Sequence, residues 1–338
     1  PSIPSVAFLG LTLVRWFIVF HDACHNSFFS SAVWNKRLAW FSSTFVPMNA
    51  SDWRASHNHH HRHLGKEGVP DLSLTVWFNK TEYEEMPSPL WLGFRIIRDP
   101  IVLPGLLSFW TFWGSLLIMN CKETVFNRAC FYVPFYYCFG LQATLLHVAG
   151  AWVGGIIGIQ LFHLQHQCNT PYRVNPLKHS KWDAGMFGST HLVVWWPLSL
   201  FTLGIEFHHI HHASTQVPSY NLAACHDEGL SLIRNGDKGL WERAGVNKIG
   251  LWRGFLSCFH TMFESNKVEE IGKPAPRFTT FEPYLSLGLY DHYVYELPAD
   301  LKTTPPASPK IGRVSSPSKS ACKSKPRSQS KPRKKKVA

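Results

Sequence analysis

The stretch FHHIHHASTQVPSYNL, from Phe207 to Leu222, puts four of the chain's 19 histidines into five positions. Two earlier clusters have related spacing. In HDACHNSFF, His21 and His25 stand at i and i+4; in WRASHNHHHRHLG, His57, His60 and His61 form HxxHH, a pattern repeated by His208, His211 and His212. On a helix these spacings bring the imidazoles to one face about a turn apart. A lone HxxxH is common by chance and a single HxxHH could be a solvated polar helix, but two HxxHH boxes after an HxxxH point to metal binding. Imidazole suits zinc, copper, iron and nickel alike. Eight ligands exceed the four of one tetrahedral zinc and match two metals, each with several imidazoles and an open position. The boxes lack the Glu-x-x-His pairs of carboxylate-rich di-iron bundles. His59, His63 and His209 fall off the ligand face and read as supporting or surface positions.

The segments that must position these boxes are apolar. Ile3 to Phe20 carries Arg15 as its only charge, Ile101 to Met119 carries none, and Ala129 to Phe162 is uncharged over 34 residues with five glycines inside it. The first meets the lower length of a spanning helix, and the third is about two short spans, read as a hairpin turning near His147 to Gly150. Several such runs in one chain favour a membrane protein over a globular core of buried helices. No small-residue cleavage site follows the first run, against a signal peptide. A start at Pro1 points to a missing N-terminal piece. After Glu206 the chain turns polar and glycine-punctuated, without strand alternation or internal repeat, and reads as helical.

Ligands of one site must share one side of the bilayer. No apolar run long enough to cross lies between His25 and His57, nor between His166 and His208, where the longest is Leu192 to Leu203. Between His61 and His166 the crossings must be even in number. A hairpin at 129–162 satisfies this if 101–119 and 192–203 are interfacial or re-entrant, and it leaves Lys122 and Arg128 on the cytoplasmic side.

The formal net charge of +12 is concentrated at one end, since 310–338 holds 11 lysines or arginines and no acid. This Ser/Pro/Lys-rich segment cannot offset its own ordering entropy, so 301–338 reads as a disordered basic tail. It has no interleaved aromatics for stacking on bases, which argues against nucleic acid and for an anionic membrane face. The eight cysteines show no CxxC pair or regular spacing, which argues against a zinc knuckle and a disulfide framework and reads most of them as buried thiols in a reducing compartment.

With these residues in view, the chain resembles the membrane fatty acid desaturases, whose pattern is HDxxH, then HxxHH, then a late HxxHH, and within them the acyl-lipid Δ12 (omega-6) branch. WRASHNHHH, GVPDLSLTV followed by TEYEE, LFHLQHQ and GIEFHHIHHASTQVPSYNLAACHDE carry the likeness, from about His21 to Glu228. The resemblance implies an all-α fold of multi-pass transmembrane helices, with a cytosolic helical cap holding a histidine-rich di-iron site, over residues 1–300. It implies two iron ions, O2 as co-substrate and a cis double bond made in a fatty acyl chain, oleoyl to linoleoyl. An unactivated C–H bond offers no acid or leaving group, which fits a metal-based oxidant.

Carried over by position, the ligands are His21, His25, His57, His60, His61, His208, His211 and His212, with His166 in addition and His163 a weaker candidate. Asp22 and Asn26 are expected to orient imidazole N–H groups from behind; Glu206 and Asn221 are lesser candidates. No cytochrome b5 HPGG motif occurs, so electrons are expected from a separate cytochrome b5 or ferredoxin. The C-terminal KKVA resembles a retrieval signal for the endoplasmic reticulum; a plastid or bacterial membrane is the alternative. Two rival readings remain: a lipid hydroxylase or ketolase with related boxes, separable by product analysis, and a metal transporter or sensor. Transporters place their ligands within spans, whereas these boxes follow or lie outside the apolar runs.

Overall fold

A computed structural model describes residues 2–66, 68–69, 78–79, 85–97, 102–111, 121–167, 175–234, 247–252, 254 and 294–295. The tail at 301–338, residues 112–119 of the second apolar run and most of GVPDLSLTV and TEYEE lie outside them. In chain order the elements are α1 (Ile3–His25), α2 (Ala32–Phe45), α3 (Ala50–His63), β1 (Phe78–Asn79), α4 (Ser88–Ile97), α5 (Val102–Phe109), α6 (Cys121–Gln167), α7 (Lys181–Phe187), β2 (Thr190–Val193), α8 (Trp196–Thr202), α9 (His208–Ala213), α10 (Ser219–Arg234), β3 (Asn247–Gly250) and β4 (Val294–Tyr295).

The fold is mostly helical, with one correction to the all-α expectation. β1 pairs with β4, and β2 with β3, each as a parallel two-stranded ladder. THLV, the sequence of β2, is too short to show alternation, and its partner lies more than fifty residues along the chain. The apolar run 192–203 is therefore divided between the end of β2 and α8, whose leading Trp195 and Trp196 are exposed.

α1 begins at an N-cap, Ser2, whose hydroxyl accepts from the Ser5 N–H, with Pro4 in the first turn where its missing N–H costs nothing. It runs five residues past the apolar stretch and stops at Asn26, which takes the left-handed conformation at φ 59°. The first histidine box thus occupies the last turn of α1. The lone charge of the run, Arg15, donates to the Leu200 carbonyl of α8.

α6 is two helices joined at Gly140, where φ is 78°. A side chain is disfavoured in that conformation, so the hairpin turns there rather than at His147 to Gly150. The first arm starts beside α2 and α3: Arg128 donates to the Pro47 carbonyl, Asn127 to the Ser43 hydroxyl, and Asn49 to Thr124. The second arm returns to end near the histidine boxes and packs on α1. A Cβ added to Gly154 would lie 2.8 Å from the Gly10 carbonyl oxygen, so the backbones meet directly.

α1 and α6 are both long and apolar enough to cross a membrane, and they carry exposed large apolar residues, among them Phe8, Val133, Phe139 and Leu141. At their box-bearing ends, one core cluster (Ile18, Met186, Ile205, Ile210, Leu222) ties α1 to α7, α9 and α10. A second (Phe20, Ala23, Cys24, Ala39) ties α1 to α2. The histidines lie among these clusters.

Candidate metal centre

Four helix ends deliver the imidazoles. His21 and His25 come from the last turn of α1, and His57, His60 and His61 from the end of α3, which starts at Asn49, whose side chain accepts from the N–H groups of Ser51 and Asp52. His166 closes α6, and His208, His211 and His212 make up half of the short α9. All nine are buried, none more than 7% exposed.

Their Nε2 atoms form two groups. In the first, His57 Nε2 lies 3.1 Å from that of His21 and 3.0 Å from that of His61, which is 2.9 Å from that of His211; ligand atoms of these four and of His25 all fall within 4.8 Å of one another. In the second, His166 Nε2 lies 3.2 Å from that of His60 and 3.0 Å from that of His208, which is 3.1 Å from that of His212. Box two gives His57 and His61 to the first group and His60 to the second. Box three does the reverse, giving His208 and His212 to the second and His211 to the first. An i, i+4 pair shares a face, while its neighbour is turned about 100° around the helix and serves the other group.

These contacts cannot all be hydrogen bonds. A ring nitrogen has one in-plane position, filled either by a hydrogen or by a lone pair, yet Nε2 of His57, His61, His166 and His208 each meets two others. Nitrogens spaced at about 3 Å and facing a common centre are what cations demand; ligands at about 2.1 Å in adjacent octahedral positions stand about 3.0 Å apart. The donor set therefore fits metal ions.

Protonation agrees. Burial, reinforced by neighbouring imidazoles, holds His57, His61, His208, His211 and His212 well below the ordinary histidine pKa, so they are neutral and their lone pairs are available. Two tautomers are fixed from behind. His166 Nδ1–H donates to the Gly188 carbonyl at 2.9 Å, which leaves the lone pair on Nε2. His21 Nδ1 lies 3.0 Å from Asp22 Oδ1, with the same consequence, while Asp22 Oδ2 accepts from the Ser219 N–H at 2.7 Å at the start of α10.

The other expected positions are placed differently. Asn26 Oδ1 accepts from Arg54 Nη2 at 3.0 Å. Glu206 is buried, which raises its carboxyl pKa, and its carbonyl accepts from the Leu192 N–H across to β2. Asn221 is exposed on α10, and His163, though buried, belongs to neither group. His59 and His63 pair with each other, ring centroids 4.1 Å apart. His209 turns away from the nine, with Nε2 3.1 Å from Nδ1 of His226 and its ring beside His191.

Two supporting residues escaped the reading of the sequence. Trp53 stacks on His57 at 4.3 Å, as its i, i+4 spacing allowed. Arg54 Nε donates to the Cys24 carbonyl at 2.6 Å, and its Nη2 to the Ala23 carbonyl at 3.4 Å, tying the C-terminus of α1 to α3. A cation at the carbonyl end of a helix also complements its dipole.

Known proteins with related sequences carry desaturase names. A family model described as fatty acid desaturase matches residues 1–243. A fatty acid desaturase of Bacillus subtilis is 31% identical over 235 residues, 64% of this chain and 64% of its own length. An sn-1 oleoyl-lipid 12-desaturase of Synechocystis is 26% identical over 251 residues, 69% of each chain. A chloroplastic omega-6 fatty acid desaturase of Glycine max is 24% identical over 237 residues, 64% of this chain and 53% of its own. The match thus spans a little under two thirds of the Bacillus protein and about half of the soybean one. With a family match over most of the chain and its histidines gathered at one buried locus, the protein belongs to the fatty acid desaturase family.

Proposed function

We propose that this chain is a multi-pass membrane enzyme that uses O2 to place a cis double bond in a fatty acyl chain, at the Δ12 (omega-6) position of an oleoyl group. The observation that carries the reading is the division of nine buried imidazoles into two sets of converging Nε2 atoms. His21, His25, His57, His61 and His211 would hold one iron, and His60, His166, His208 and His212 the other. Bound iron supplies the O2-dependent oxidant that an unactivated methylene pair requires. The chain's part is to gather and aim nine imidazoles, His21 by Asp22 and His166 by the Gly188 carbonyl, and to exclude bulk water by burying them. The Δ12 assignment draws on the oleoyl-lipid 12- and omega-6 names of four relatives.

In this reading α1 and both arms of α6 cross the bilayer. The arms, from 121 to 139 and from 141 to 167, are about 28 and 40 Å long at 1.5 Å per residue, against a hydrocarbon core of about 30 Å. α8, with the exposed Trp195 and Trp196 at its start, lies in the interface. Residues 1–300 form the enzyme domain, and the basic tail from 301 stays on the cytosolic side, with the endoplasmic reticulum as the favoured membrane. Desaturation with reduction of O2 to two waters consumes two electrons and two protons beyond the two hydrogens taken from the lipid, so an external electron carrier is required.

Expression in yeast, with gas chromatography of total fatty acids and iron analysis of the purified protein, tests the proposal. The expected result is new linoleate and about two irons per chain, with His57→Ala and His212→Ala each losing product and iron. Hydroxy fatty acids in place of dienes, or zinc in place of iron, would overturn it.

A further inference from the structure

A cavity of about 580 Å³ opens beside the histidine groups, and the described residues of its lining are polar and, where charged, basic. Arg54, Arg62, Lys66 and Lys181 contribute cations, and among the described residues no aspartate or glutamate lines it. The lining also includes His25 and His61, both of the first histidine group, and no member of the second. Among the described residues Cys24 is the only side chain of apolar character in the wall, so these residues offer a hydrocarbon little to gain by entering. A lipid head is also poorly placed here, because in an acyl chain oxidised at its middle the head lies many bonds from the reacting carbons and cannot rest against the metal's own ligands.

The remaining requirement of the proposed reaction is electrons. Transfer weakens steeply with distance, so a carrier must reach the ligand edges closest to solvent. Redox encounters use small contact areas and are steered by complementary charge. We infer that this basic cavity is the docking site of an acidic one-electron carrier protein, and that electrons enter at the His25/His61 edge, hence at the first of the two metal groups. The inference rests on the desaturase reading.

The test uses the purified full chain in phosphatidylcholine nanodiscs, with plant-type ferredoxin and the soluble cytochrome b5 domain as probes. Carrier binding is read by thermophoresis, and reoxidation of reduced carrier by stopped flow. Combined reversal of Arg62→Glu, Lys66→Glu and Lys181→Glu is expected to slow reoxidation by at least ~tenfold at about 10 mM salt and to weaken binding in parallel. The gap should close near 1 M salt, where screening acts within about 3 Å. Iron content and reduction by dithionite should be unchanged, and Lys36→Glu, an exposed reversal on α2, should leave the carrier rate as it was. Wild-type rates in the triple variant overturn the docking site. So does a defect that persists at high salt, or a loss of binding to phosphatidylglycerol vesicles with the carrier rate intact, the last marking a lipid-head site. Because carrier binding is measured independently of iron, wild-type protein that binds the carrier but holds no iron overturns the desaturase reading and not the docking site.

Discussion

Asp22 shows how much depends on one side chain. Its two oxygens fix the His21 tautomer and hold the first turn of α10, so the carboxylate ties a box histidine on α1 to a helix nearly two hundred residues away. Asp22→Ala is expected to lower iron affinity about 10–100-fold, the usual effect of removing a carboxylate behind a metal-bound histidine. Competition titration against a chelator measures it, and unchanged affinity would show that His21 is oriented by packing alone. The eight box histidines were legible because i, i+3, i+4 spacing survives in one dimension. Their sorting between two centres was not, since whether His60 joins His57 or His166 depends on the angle at which α3 meets α6. His166 was recognisable only through the LFHLQHQ likeness, because one histidine at the end of an apolar run has no spacing to report.

Among the helices, the α1–α6 crossing gives the sharpest contrast. Gly154 meets the Gly10 backbone, whereas a Cβ on Gly158, one turn further along, would meet nothing within 4 Å. Gly154→Val is therefore expected to lower stability by about 1–3 kcal/mol, because backbone cannot yield as a flexible side chain can, while Gly158→Ala is expected to be nearly neutral. Thermal midpoints of the two purified variants decide it, and equal midpoints would refute a close crossing. The same distinction explains why the hairpin turn was misplaced in sequence. Gly150 and Gly154 are small to admit α1 and stay helical, whereas Gly140 is needed for its positive φ. Composition reports glycine and not which of these uses it serves. α2 shows a related limit: one face of this 14-residue helix is buried against α1 and α6 and the other exposes Trp34, Trp40 and Phe41, too short and too mixed to stand out as a membrane-associated segment.

For the molecule as a whole, so many neutral imidazoles packed together make poor structural material unless something occupies their lone pairs. Buried polar groups without partners cost stability, and a ligand that binds only the folded state restores it. Stripping iron with a strong chelator is expected to lower the thermal midpoint by several degrees, with recovery on adding ferrous iron and little on adding magnesium, which prefers oxygen. A midpoint indifferent to the chelator would argue against a resident metal. The long apolar helices and the basic character of the C-terminal end were visible in composition. The paired strands were not, because parallel ladders join residues from distant parts of the chain that no local pattern connects.

Because the second and third boxes each straddle the divide between the two histidine groups, the two proposed cages would share their walls. A shift of α3 or α9 that opens one must loosen the other. The ions should therefore enter and leave as a couple, and partly loaded protein should be a mixture of full and empty molecules, with few half-filled ones.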